Sequence, residues 1–141
     1  MQQRAILLAV LAVVVIGLMV WLAHDAGVPL GLSVYANSSF TARIFDLALT
    51  AMLAVVLVLG LTSLAKPAAP AAPFLAFMSW GGPLLGLLAG LREGSVIWFT
   101  VKIAQTTQFR AIAPTLVEAL LMPAIGLIAG ALASAFIARR A

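Results

Sequence analysis

Residues 5–23 form a run of nineteen without a single charge. At about 1.5 Å per helical residue, such a run covers a hydrocarbon core of about 30 Å. Lipid offers no water to backbone amides, so a crossing segment must be a helix or a strand of a closed barrel. Barrel strands appear as segments of about ten residues with alternating polarity. Here the apolar residues run on without alternation, and three more such runs follow at 44–65, 74–91 and 112–138. The expected fold is all-α: a polytopic membrane protein with four transmembrane helices, forming one membrane domain over 1–141.

Composition points the same way. Of the 141 residues, 65% are hydrophobic and 9% charged, and the mean hydropathy is +1.21. A soluble domain carries about a quarter charged residues, so a soluble fold is excluded. The net charge is +4, from eight Lys and Arg against four Asp and Glu. These cations stand at the ends of apolar runs, which is how topology is marked, and no nucleic-acid partner is expected. The absence of cysteine excludes disulfides and thiolate metal sites. A single histidine, His24, makes no metal cluster, and no cofactor is expected. The chain shows no paired-carboxylate site, phosphate-binding glycine loop or Ser/His/Asp set, so it does not read as an enzyme.

Arg4 precedes the first run. Nineteen apolar residues exceed the ~7–15 of a signal-peptide core, and Trp21 is too large for a small-x-small cleavage site, so the segment reads as a retained anchor. A loop is expected from His24 to about Arg43, with turn formers at Gly27, Pro29, Gly31 and Asn37-Ser38-Ser39. Thr41 is a candidate helix cap. Asp46 falls in the first turn of the second run, where a carboxylate meets the positive helix end. Residues 66–73 read as a linker, since Pro67, Pro70 and Pro73 favour extended chain. The third run either stops at Leu91, before an interfacial helix with Trp98 and Phe99, or continues as one long helix to about Ala104, the preferred reading. Gln105, Thr106, Thr107 and Gln108 read as a hydrated loop. Pro114 is placed in the first turn of the last run, where proline is tolerated. With the N-terminus inside, Arg4, Lys66, Arg139 and Arg140 all lie inside, close to span ends and without an acidic neighbour, which favours N-in/C-in.

Lipid supplies no hydrophobic reason for helices to associate, so small residues mark the contact faces. Gly82, Gly86, Gly90 and Gly94 follow one another four apart in the third span. Gly126, Gly130, Ser134 and Ala138 do the same in the fourth, with Met122 and Glu118 continuing the line. The first two spans have no such row and read as an outer, lipid-facing layer. Ionisable residues inside spans usually face protein and have a role. Glu118 is read either as a proton-accepting carboxylate or partner-helix contact, or as a structural partner of Arg92, Lys102 or Arg110. Arg92 and Glu93 either contribute to an ion path or mark the outer end of the third span. His24 and Asp25 read as an interfacial pair.

Residues 82–139 resemble the ExbB/TolQ/MotA family of bacterial proton-channel subunits, closest to the ExbB and TolQ branch. The family's final helix typically reads Ala-Pro-Gly-x-x-Glu-Ala-Leu-x-x-Thr-Ala-x-Gly-Leu. Ala113, Pro114, Glu118, Ala119, Leu120, Ala124, Gly126 and Leu127 fall on its matching positions. Pro83, Gly86 and Leu87 match its Pro-x-x-Gly-Leu in the preceding span. Departures are Ala89-Gly90 where the family has Gly-Thr, Pro123 where it has threonine, and the linker where it has a large cytoplasmic segment. The resemblance implies a homo-oligomer, commonly a pentamer, in the bacterial inner membrane. It also implies a single-span, ExbD/TolR-like partner carrying an aspartate, and coupling of proton flow to mechanical work. Two other readings stay open: a scaffold subunit that conducts nothing, and the small membrane subunit of a solute transporter.

Overall fold

The computed structural model describes residues 1–28, 40–66, 72–104 and 109–140. They form four helices, α1 (Gln2–Ala26), α2 (Phe40–Ala65), α3 (Ala72–Ala104) and α4 (Phe109–Arg140), with no strand among the described residues. Each helix is long and apolar enough to cross a membrane. The chain is therefore an all-α, four-helix polytopic membrane protein. Four crossings bring both termini to one end of the bundle, the near end; Ala26, Phe40, Ala104 and Phe109 lie at the far end.

Several boundaries differ from the sequence reading. The first helix continues through His24 and Asp25 and stops at Gly27, whose φ of 68° suits a residue without Cβ. There the Val28 amide donates to the Ala23 carbonyl at 2.8 Å, and the Gly27 amide to the His24 carbonyl at 3.3 Å. The second helix begins at Phe40, four residues before the apolar run, so Thr41 lies inside it instead of capping it. Asp46 then falls beyond the first turn, where the helix dipole no longer stabilises a carboxylate. The third helix is continuous through Arg92 and Glu93 to Ala104, the longer and preferred of its two readings, but α4 starts at Phe109, which moves Pro114 out of the first turn. Pro29, Gly31, Asn37, Ser38, Ser39, linker residues 67–71 and Gln105 to Gln108 lie outside the described residues.

The fourth helix is the hub and packs against the other three. The first two helices lie outside it and stay largely exposed, with Val13, Val14, Val58 and Leu61 among the side chains left to lipid. On α2 the buried positions are Ala42, Asp46, Leu49, Val56, Gly60 and Ser63. Their alternating spacing of three and four, with half-buried Leu53 between, is the single seam of a helix that packs on one side only.

Backbone meets backbone where α3 packs on α4. Residues 83–90 read Pro-Leu-Leu-Gly-Leu-Leu-Ala-Gly and residues 123–130 read Pro-Ala-Ile-Gly-Leu-Ile-Ala-Gly. On antiparallel helices this repeat docks against itself. Pro83 lies against Gly130, where an added Cβ would stand 2.6 Å from the proline Cδ. Reciprocally, a Cβ on Gly90 would stand 2.6 Å from the Pro123 Cγ and 2.8 Å from the Ala119 carbonyl. At the centre, a Cβ on Gly86 would come within 2.7 Å of the Met122 carbonyl and 3.0 Å of the Gly126 Cα. Contact of this kind exists only because the side chains are missing. Gly94 departs from the expectation: nothing lies within 4 Å of its Cβ position, so the glycine row of α3 ends functionally at Gly90.

Proline inside a helix leaves the carbonyl four residues earlier without its amide donor. For Pro83 that carbonyl belongs to Ser79, and the Arg4 guanidinium of α1 donates to it at 2.8 Å. The same guanidinium stacks 3.2 Å from the Trp80 ring centroid. Arg4, which sequence marks only as a topology signal, thus also ties α1 to α3 at the near end.

Two tests follow from this packing. Gly86→Leu is expected to cost about 3 kcal/mol, at the upper end of overpacking penalties, whereas Gly94→Leu stays within about 0.5 kcal/mol. Thermal unfolding of both variants in detergent compares them, and equal losses would refute the glycine–proline contact as the organising one. Arg4→Gln should cost about 1–2 kcal/mol through the lost charged hydrogen bond and ring contact. In a Pro83→Ala background the Ser79 carbonyl regains a helical donor, so the Arg4 effect should shrink; an unchanged effect would break the link between the two residues.

Candidate functional site: carboxyl groups at a three-helix junction

Asp25 is exposed on the last turn of α1, whereas the other three acidic side chains lie inside the bundle: Asp46 on α2, Glu93 on α3 and Glu118 on α4. These three are buried, with 4%, 2% and 7% of their surfaces exposed. Helical spacing explains why they share a neighbourhood. Ala42 and Leu49 of α2, Ala89 of α3 and Met122 of α4 form one apolar cluster, flanked by Leu85 and Ile125. Asp46 is one turn from Leu49, Glu93 one turn beyond Ala89 and Glu118 one turn before Met122. Each of these steps runs toward the far end, and on α2 Asp46 stands between the cluster residues Ala42 and Leu49.

Their surroundings differ. Glu93 forms an ion pair with the adjacent Arg92, whose own side chain remains 41% exposed at the rim of the junction. Asp46 lies within electrostatic reach of Glu93, and neither of its carboxyl oxygens has a hydrogen-bond partner among the described residues. Leaving a buried polar group in that condition costs a few kcal/mol, the more so when it carries charge. No group of three or more carboxylate, imidazole or thiolate side chains is placed to hold a metal ion among the described residues. What the junction offers chemically is a set of buried carboxyls able to bind and release protons beside a guanidinium.

A lateral groove of about 380 Å³ runs between α2 and α3, lined by Phe45, Met52 and Leu88 among others. Leu49 and Ala89 belong both to its lining and to the cluster. The groove therefore borders the apolar cluster from which Asp46 and Glu93 are each one turn away.

Of the residues singled out in the sequence, Glu93 and Glu118 lie in the junction and Arg92 stands at its edge. Arg92 pairs with its neighbour Glu93. Gly82, Gly86, Gly90, Gly126 and Gly130 belong to the α3–α4 contact, and Gly94 faces open space. Ser134 is buried elsewhere on α4, its hydroxyl without a hydrogen-bond partner among the described residues. His24 and Asp25 are exposed on the last turn of α1. Asp46 is the site residue that sequence reasoning missed. Its signal lay in register: Asp46, Gly60 and Ser63 occupy one seam of α2, and small residues mark the buried face.

Comparison with family models, with curated proteins and with solved structures finds no match to the chain.

A carboxyl retained for chemistry should be dispensable to folding. Asp46→Leu removes a buried polar group and extends the apolar seam, so stability should rise by about 1–3 kcal/mol. Unfolding in detergent reads the change directly, and a loss of stability would assign Asp46 a structural role instead.

Proposed function

We propose that this protein is a small subunit of a bacterial inner-membrane complex that couples the proton-motive force to work, with Asp46, Glu93 and Glu118 as its proton-exchanging groups. The observation that carries this reading is the burial of carboxyls on three different helices, with Asp46 and Glu93 within electrostatic reach of each other and Asp46 without a hydrogen-bond partner among the described residues. A chain with only four acidic residues places three where insertion into lipid disfavours them, and such placement ordinarily serves an ion or proton path. The resemblance of the last two spans to ExbB and TolQ supports the same reading, because Glu118 falls on that family's glutamate position. It brings with it an assembly of several copies and a single-span partner. In such an assembly the glycine rows are already engaged inside each hairpin, which leaves the exposed faces of α1 and α2 for contacts between chains.

A second reading, a scaffold subunit that conducts nothing, draws support from the groove beside Asp46, whose walls are apolar side chains that offer a proton no relay. Proton flux separates the two. In vesicles under an imposed pH gradient, the wild-type assembly should carry protons, and Asp46→Asn or Glu118→Gln should bring the flux down to that of protein-free vesicles. Equal flux from wild type and both variants would leave the scaffold reading standing.

A further inference from the structure

The carboxyl junction occupies the far end of the bundle; a different feature stands at the near end. There α1 and α4 diverge around a groove of about 440 Å³. Its walls include Ala5 and Ala9 of α1 and Ala131 and Ala135 of α4, and its mouth carries Gln2 and Arg139. The small side chains leave room where larger ones would have closed the gap. Measured along α4 from Ala131 to Arg139, the groove is about 12 Å deep at 1.5 Å per residue. That is most of a single leaflet's share of the ~30 Å hydrocarbon core. Deeper in the bundle the gap is shut, since Ala12 of α1 is buried and Leu8 reaches the position where Gly130 would carry a Cβ.

Charge at this end has one sign. Arg4, Lys66, Arg139 and Arg140 all belong to it, whereas Asp25, Asp46, Glu93 and Glu118 all belong to the far half of their helices. Arg4 is engaged with the Ser79 carbonyl and Trp80, but Arg139 is exposed. A cleft that is apolar along its length, one leaflet deep, and cationic only at its mouth has the chemistry of a phospholipid with a negative headgroup. A transmembrane helix fits it less well, because a crossing helix would need a channel running the full depth of the bundle.

We propose that the near-end groove between α1 and α4 binds an anionic phospholipid, its phosphate on Arg139 and Gln2 and one acyl chain along the alanine walls. This goes beyond the proton-coupling reading and does not depend on it. Basic pockets between membrane helices are a recurrent form of anionic-headgroup recognition, and each cation near the surface contributes a factor of about five in affinity.

The test reconstitutes the full chain in nanodiscs of phosphatidylglycerol mixed equally with phosphatidylcholine, then releases it into native mass spectrometry. The wild type should retain phosphatidylglycerol in preference. Arg139→Gln should cut that preference about fivefold, and Ala9→Leu, which fills the groove from an exposed position, should lower retention of either lipid. Ala48→Leu, in the α2–α3 groove, serves as the control and should leave retention unchanged. Equal retention of the two lipids by wild type, or undiminished retention by Ala9→Leu, overturns the proposal. So does a doubled mass that carries no lipid and is lost in Ala9→Leu, because the groove would then seat a second copy of the chain.

Discussion

In water, burying leucine is enough to bring two helices together; in lipid it is not, because the solvent is as apolar as the side chain. What remains is close packing of atoms, and the α3–α4 hairpin takes this to the point of backbone touching backbone. Gly86 and Gly126 meet at its centre, and each proline rests against a glycine of the opposite helix. Every added carbon at these positions would separate the helices, so the contact tolerates no side chain. The rest of the bundle is arranged around it. The fourth helix acts as hub, α1 packs on it, and α2 packs beside the hairpin along a single seam.

The same prolines that shape this contact create a defect in it. Each removes a helical hydrogen bond, and inside a membrane an unsatisfied carbonyl is costly. At Ser79 the defect becomes an attachment point, since Arg4 supplies the missing donor from another helix. At Ala119 the carbonyl turns toward Gly90, where the missing side chain lets a Cα–H approach an oxygen closely. Helix distortion and interhelical contact are therefore one feature, and changing either proline alters both.

Against this economy of polar groups, the buried carboxyls stand out. Asp46, Glu93 and Glu118 each lie one turn from a residue of an apolar cluster built from the same three helices. Glu93 is balanced by Arg92, whereas the Asp46 oxygens make no hydrogen bond among the described residues. Nothing in the packing calls for a carboxylate at Asp46, where the seam on either side is filled by Ala42 and Leu49. Charge is also sorted along the bundle, with cations alone at the near end and every carboxylate in the far half. The two ends therefore present different chemistry, proton-binding groups at one and anion-attracting groups at the other.

Sequence by itself determined that this chain lives in a membrane, that it crosses as helices and where the four crossings fall, because length and hydropathy suffice for that. It also carried the glycine rows and the octapeptide at 83–90 and 123–130. Only the tertiary structure decided what those rows do. Helix pairing showed the two octapeptides to be the two halves of one antiparallel contact, and it removed Gly94 from the set. The position of Asp46 was illegible for a physical reason. When nearly every residue of a helix is apolar, polarity no longer distinguishes the face turned to protein from the face turned to lipid. An early helix start at Phe40 and a seam of small residues placed that carboxyl in the interior, and those depend on which helices are neighbours.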